Sequence, residues 1–348
     1  MVNIKSMLKS LAIFSLLIFI FLPCLLTAQV VVGEINGNSS KSQQQYPFHG
    51  YFVLIESPSK YFAPIVSAPK DETVGKSEYL MTTSSWAQSV DAFLAINTSF
   101  FDPEKEYKPY DLRMVFGPTK RDGKLISSTL PRPDKKGNPA LLFDKKGKPT
   151  IAMATEEDVN SAYNVIGAQW EKSPKLGSNG TLLIDSGIMQ GSTTLPAPNE
   201  QAPRTGVGLT KDNNVLIIIM IEGRLPSSAG VDLTQFAKIF KAFGAYNAIN
   251  FDGGGSSTIS YVPNKNVPIQ GSLKLYNIMK YANLKRTKNN SLQFYIKQRD
   301  ARIPFASSPS GNSIFESALM SVKEKKKQKT QSSQLYRPVA AHLGFTLK

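Results

Sequence analysis

Apolar residues in this chain recur mostly at alternate positions or in short unbroken runs, the pattern of strands that are half or wholly buried. Such runs occupy Tyr51–Ile55, Ala92–Ile96, Ala140–Phe143, Thr150–Met153, Thr181–Ile184, Thr205–Leu209, Val215–Ile221 and Ala248–Phe251. Turn residues at Asp144 to Pro149 and at Lys211-Asp212-Asn213-Asn214 predict two antiparallel hairpins, and Asp185-Ser186-Gly187 predicts a further turn. Before the C-terminal extension, where Phe315, Leu319 and Val322 form a further stripe over 314–325, helical spacing is found in two places. Tyr79 to Val90 predicts a short helix, and Leu233, Phe236, Ala237, Phe240 and Phe243 form an apolar stripe between Asp232 as N-cap and Gly244 as terminator. The expected fold class is α+β, with a mixed, largely antiparallel β-sheet core and packed helices in a single domain.

The second hairpin carries geometry. If its turn is centred between Asp212 and Asn213, cross-strand partners sum to about 425, which places Arg204 opposite Ile221 or Glu222 at the open end. A strand, a crossover helix and a further strand usually run parallel in one sheet, so Glu222 and Asp252 should leave the sheet at the same edge. Arg204, Glu222, Arg224 and Asp252 are thus expected to converge.

Asp252 is followed by Gly253, Gly254 and Gly255, then by the hydroxyls of Ser256, Ser257 and Thr258. Glycines at a strand end permit positive φ and close approach, and can turn successive N–H groups toward one anion. The stretch Asn250 to Thr258 resembles the most diagnostic motif of the phosphodiester glycosidase family, Asn-(Leu/Phe)-Asp-Gly-Gly-Gly-Ser-(Ser/Ala)-Thr, at nine consecutive positions. Pro203-Arg204-Thr205-Gly206-Val207-Gly208 is similar to the family's Arg-Thr-x-x-Gly, and Glu222-Gly223-Arg224 to its Asp-Gly-Arg, with glutamate for the commoner aspartate. Asn97 resembles an asparagine that the family places after an early strand, with Thr98 where glycine is common. Arg286 to Leu292 resembles its closing Arg-x-Val-x-Asn-x-Leu, except that Lys288 replaces the apolar residue. The resemblance runs from about Pro47 to Lys297.

The ends of the chain differ from its middle. Lys5 and Lys9 precede an apolar run from Leu11 to Leu26 and then Thr27-Ala28, the layout of a secretory signal cleaved near Ala28, an uncleaved anchor being the alternative. Cys24 is the only cysteine and would leave with that signal, so no disulfide or thiolate nucleophile is expected. The polar stretch 29–46 reads as a linker, 47–297 as the catalytic domain, and 298–348 as a basic, flexible extension containing the run Lys323 to Lys329. The formal net charge of +15 over 348 residues suits an anionic partner such as an envelope glycopolymer, with the tail as tether. No nucleic-acid motif accompanies the basic runs. With only His49 and His342, a histidine-rich zinc site or a Ser-His-Asp triad is not expected, and neither cofactor nor metal is required.

Taken together, the residues and the resemblance imply a secreted or envelope hydrolase that cleaves the glycosidic bond of a sugar-1-phosphodiester on a phosphorylated glycan or glycopolymer. Asp252, Glu222 and Arg204 are the expected catalytic set, with the two carboxylates sharing the roles of nucleophile or base and of sugar orientation. Asn97, Thr205, Arg224, Asn250, Gly253, Gly254, Gly255, Ser256, Ser257 and Arg286 are expected to bind substrate. The alternative is a non-catalytic binding protein for anionic glycopolymers on the same fold.

Overall fold

The computed structural model describes residues 30–41, 44–67, 77–102, 110–127, 137–168, 181–190, 200–263, 292–299, 302–307 and 337–348. The expected signal segment, Arg286 and the run Lys323 to Lys329 lie outside these residues.

The strands in chain order are β1 (Val30–Lys41), β2 (Gln44–Glu56), β3 (Phe62–Val66), β4 (Ser77–Tyr79), β5 (Leu94–Asn97), β6 (Leu112–Met114) and β7 (Thr119–Arg121). There follow β8 (Lys124–Ser127), β9 (Asn138–Phe143), β10 (Pro149–Ala154), β11 (Asn164–Gly167), β12 (Leu182–Asp185), β13 (Ile188–Met189) and β14 (Arg204–Leu209). The remaining ones are β15 (Val215–Ile221), β16 (Asn247–Asn250), β17 (Ile259–Tyr261), β18 (Leu292–Gln298), β19 (Phe305–Ser307) and β20 (His342–Leu347). Helices are few and short: α1 (Pro58–Tyr61), α2 (Thr83–Ser89), α3 (Glu156–Ser161) and α4 (Leu233–Ala242).

Three layers result. The central one is an eight-stranded sheet in the order β13-β12-β16-β14-β15-β2-β1-β18. One face carries Val32, Val53, Val207, Ile218, Met220 and Ile249 into a core shared with the five-stranded sheets β19-β17-β5-β20-β3 and β10-β9-β11-β7-β8. The other face packs on α4 through Phe236, Ile239, Phe240 and Phe243. Asp232 caps α4 as expected, accepting from the Gln235 amide at 2.7 Å while Gln235 returns a bond to the Asp232 amide. Each of those buried aromatic or aliphatic side chains contributes about 1.5–3 kcal/mol. A side chain at Gly208 would not fit beneath them, since its Cβ would lie 2.8 Å from Phe240.

The fold is therefore largely antiparallel β, as expected, but among the described residues its helices are few, with α4 forming the helical layer, so it is less α+β than the sequence suggests. Two expected boundaries also shift. Residues 30–41 are not linker: β1 pairs with β2 from Val30 opposite Ile55 to Lys41 opposite Gln44, because Val30, Val31, Val32 and Ile35 bury apolar side chains on both faces of the sheet. Nor does the domain end at 297, because β20 lies between β5 and β3 with Leu343 and Phe345 in the core.

β14 pairs antiparallel with both β15 and β16, so β15 and β16 run parallel with β14 between them. Their backbones are about 10 Å apart. The C-terminal ends of β15 and β16 and the N-terminal end of β14 meet at one sheet edge, where Arg204 faces Ile221 and Gly206 faces Asn250.

Candidate active site

At that edge the chain leaves β16 and crosses toward the smaller sheet. The Asp252 amide donates to the Thr98 carbonyl at 2.9 Å, and Nδ2 of Asn97 donates to the Asp252 carbonyl at 2.7 Å. Oδ1 of Asn97 accepts from the Thr258 amide at 2.8 Å. This buried amide side chain, at the end of β5, thus ties both ends of the glycine turn to the second sheet.

The turn differs from the expected cradle of amides. Gly253 is extended at φ −114°, and only Gly254 has a positive φ, 58°, at the start of a single 3₁₀ turn over Gly254–Ser256. The Gly254 amide donates to the Pro203 carbonyl, the Ser256 amide to Gly253 and the Ser257 amide to Gly254. The last two of these bonds close the 3₁₀ turn on itself, and the first ties it to the residue before β14. What surrounds the glycines instead is guanidinium. A Cβ on Gly253 would lie 3.7 Å from Nη1 of Arg204, one on Gly254 would lie 3.0 Å from Nη2 of Arg224, and one on Gly255 would lie 3.1 Å from Nη1 of Arg337. The absence of side chains lets three cations approach the turn.

Asp252 is partly buried beside this turn. Burial raises its carboxyl to a pKa of about 6, opposed by the Ser256 side chain, the Arg337 guanidinium and the Gly253 amide. Such a group changes charge close to neutral pH, as a general acid or base must.

Arg204 is buried, and its Nε donates to the Val231 carbonyl at 3.1 Å and its Nη2 to the Glu200 carbonyl at 2.6 Å. Burial lowers its pKa to about 10, which leaves it charged at neutral pH. It does not pair with Glu222. Met220 points into the core between the sheets and Ile221 toward α4, so Glu222 returns to the inter-sheet side, whereas Arg204 opposite Ile221 lies on the helix side. The two share an edge but not a face.

Glu222 is held from three directions. One carboxylate oxygen, Oε2, lies 2.7 Å from Nδ1 of His49, and the other accepts from the Ser307 hydroxyl. Its amide donates to the His49 carbonyl, and its carbonyl accepts from the Ser228 hydroxyl at 2.8 Å. Below it, Tyr51 stacks on Phe305 with centroids 5.0 Å apart. Burial and the Glu222 charge keep the Tyr51 phenol protonated well above its ordinary range.

Thr98 Oγ1, Thr205 Oγ1, Asn250 Oδ1 and Ser257 Oγ are buried at or next to this edge and have no hydrogen-bond partner among the described residues. Arg224 is exposed and adopts a left-handed φ of 64°. The sequence reading missed His49, Ser307 and Arg337. Only His49 carried a signal, because it falls opposite Glu222 once β2 is paired with β15. No cluster of three or more metal-binding side chains occurs among the described residues.

A largely antiparallel β domain thus places an acidic residue, a glycine turn and flanking arginines at one sheet edge. The family described as phosphodiester glycosidase matches residues 91–301, and the chain belongs to that family. Among solved structures, the zebrafish N-acetylglucosamine-1-phosphodiester alpha-N-acetylglucosaminidase catalytic domain, auto-inhibited by its pro-peptide, aligns with a TM-score of 0.52 at 19% identity, over 69% of this chain and 75% of that one. A hypothetical protein from Synechocystis aligns with a TM-score of 0.48 at 14% identity, over 68% of this chain and 60% of that one. No curated protein matches in sequence.

Proposed function

We propose that this protein hydrolyses the bond between the anomeric carbon of a sugar and the phosphate of a sugar-1-phosphodiester, in a phosphorylated glycan or glycopolymer of the kind bearing N-acetylglucosamine-1-phosphate. One observation carries the reading: Asp252, with its carboxyl raised to about pKa 6, sits beside a glycine turn that three guanidinium groups approach. A phosphate diester would meet fixed positive charge, which a guanidinium fork presents in matching geometry. Asp252 serves the sugar side, taking a proton from the attacking water. Glu222 is a positioning residue, because both of its carboxylate oxygens already have partners. The leader-like residues 1–28 support action outside the cytoplasm or in the envelope, and among the described residues no helix is long and apolar enough to cross a membrane.

The test is release of free sugar from an N-acetylglucosamine-1-phosphodiester by wild type and by Asp252→Asn. Wild-type release, reduced roughly 100-fold or more in the variant, is the expected result. Binding without release by the wild type would instead identify a receptor for anionic glycopolymers.

A further inference from the structure

Arg337 lies beyond residues 91–301 that the family matches, yet it reaches the glycine turn. Its position is fixed by the strand that follows it. Val339 and Met81 exchange main-chain hydrogen bonds of 2.9 and 3.0 Å, Pro338 to Ala341 are buried, and β20 then enters the second sheet between β5 and β3. The guanidinium lies over the Phe101 ring, 5.6 Å from its centroid. Gly254 and Gly255 are consecutive, so their Cα atoms are about 3.8 Å apart. Arg224 reaches the first and Arg337 the second, each about 3 Å from where a Cβ would stand. Two guanidinium groups thus reach neighbouring residues of the turn, where their positive charge favours a bound anion.

We infer that Arg337 is a further catalytic residue of this site, a cation supplied by the C-terminal segment that stabilises the phosphate group as it departs from the sugar. This rests on the reading of the reaction proposed above. In that reaction the bond between C1 and the bridging oxygen breaks, and its electron pair stays on the oxygen that remains bound to phosphorus. The water oxygen bonds to C1, and one water proton passes to Asp252 and then to solvent. The products are a free sugar and a phosphomonoester. The phosphate begins as a monoanion and ends as a dianion, so one unit of negative charge develops on it. A cation that meets this charge binds the transition state more tightly than the substrate and raises kcat rather than only lowering KM.

Asp252 provides an independent readout. The charged groups that approach its turn are Arg337 from the C-terminal segment, Arg224 from the loop after β15 and Arg204 from β14, while β5 contributes the uncharged Asn97 and Thr98. Of these, Arg337 is the cation that most lowers the Asp252 pKa.

The experiment compares the full chain with Arg337→Gln, Arg337→Lys and Gly255→Ala. The alanine leaves Arg337 in place but sets a methyl 3.1 Å from its Nη1, forcing a shift at that end. Three measurements are made: kcat and KM on an N-acetylglucosamine-1-phosphodiester, binding of inorganic phosphate by calorimetry, and the titration of Asp252 by carboxyl NMR. The expected result for Arg337→Gln is a kcat reduced roughly 100-fold with a smaller change in KM, phosphate binding weakened about tenfold, and an Asp252 midpoint moved to higher pH. Arg337→Lys should return the midpoint toward wild type but only part of kcat, and Gly255→Ala should show the same losses in weaker form. Unchanged kcat and phosphate binding in a folded Arg337→Gln would overturn the inference. If the wild type released no sugar, the proposed function would fail, and phosphate binding alone would still decide whether Arg337 forms part of an anion site.

Discussion

Oε2 of Glu222 lies 2.7 Å from Nδ1 of His49, and this contact closes the end of the β2 and β15 pair. With Ser307 on the other oxygen, it fastens the central sheet to β19 of the second sheet. Removing one partner leaves a buried carboxylate short of a hydrogen bond, which costs about 1–3 kcal/mol or more for a charged group. His49→Ala should therefore lower the denaturation midpoint measurably. Glu222→Gln should reduce sugar release far less than Asp252→Asn, and an equal reduction would return Glu222 to the reacting groups.

Asn97→Ala removes the bonds to the Asp252 carbonyl and the Thr258 amide together. Asn97 is buried, so the expected loss is about 2–3 kcal/mol of stability in urea titrations. The glycine turn would loosen as well, and kcat should fall while the substrate still binds.

Gly230 has φ 92°, and a Cβ there would lie 2.4 Å from the Ala202 carbonyl, which is main chain and cannot swing aside. Val231 and Ala202 exchange hydrogen bonds at the same place, directly beside Arg204. Gly230→Ala should cost more than about 2 kcal/mol, from left-handed strain and the clash together. Circular dichroism on heating is sufficient to see it.

The Asp252 carboxyl is raised from 3.8 to about 6, so between those values the folded chain holds a proton that the unfolded chain does not. Its contribution to stability is present at low pH and disappears as pH rises through about 6. Activity that uses the carboxylate as a base should rise through the same range and level off above it. Asp252→Asn should then abolish that rise in kcat/KM and be more stable than wild type at pH 8, relative to the two at pH 5. A wild-type profile flat from pH 5 to 8 would contradict the assignment.

His342 behaves in the opposite sense. It is stacked on Trp86 with centroids 4.9 Å apart, and burial lowers its pKa to about 3, with the Met81 main chain pulling the other way. An unfolded histidine takes up a proton below about pH 6.5 while the folded one does not, so stability should decline by up to ~1.4 kcal/mol per pH unit as acidity increases. His342→Phe keeps a ring on Trp86 and should flatten that slope between pH 6.5 and 4.5 in paired denaturation curves.

Local signals in the sequence were sufficient for the hairpin of β14 and β15, whose register of Arg204 opposite Ile221 falls on the predicted sum, and for the Asp232 cap of α4. They were sufficient also for the parallel run of β15 and β16 that brings Glu222 and Asp252 to one edge. They failed where faces and distant partners matter. Alternation beyond the strand end sends Arg204 and Glu222 to opposite sides, and at the end of a hairpin that cannot be read from spacing alone. His49 and Ser307 reach Glu222 across 173 and 85 residues, and Arg337 arrives from a segment whose polar surroundings read as tail. The glycines predicted a bare turn, but not that the Gly254, Ser256 and Ser257 amides would donate to main-chain carbonyls or that three arginines would approach it.

The position of β20 has a consequence for the order in which the protein comes into being. A ribosome makes β5 and β3 more than two hundred residues before the strand that separates them, and in the interval β5 has only β17 beside it while β3 has no partner in that sheet. Closure of that sheet waits on translation through residue 347, and such late, long-range pairing is slow and exposed to misassembly. A chain halted before Arg337 would consequently lack both that residue beside the glycine turn and the strand that joins β5 to β3.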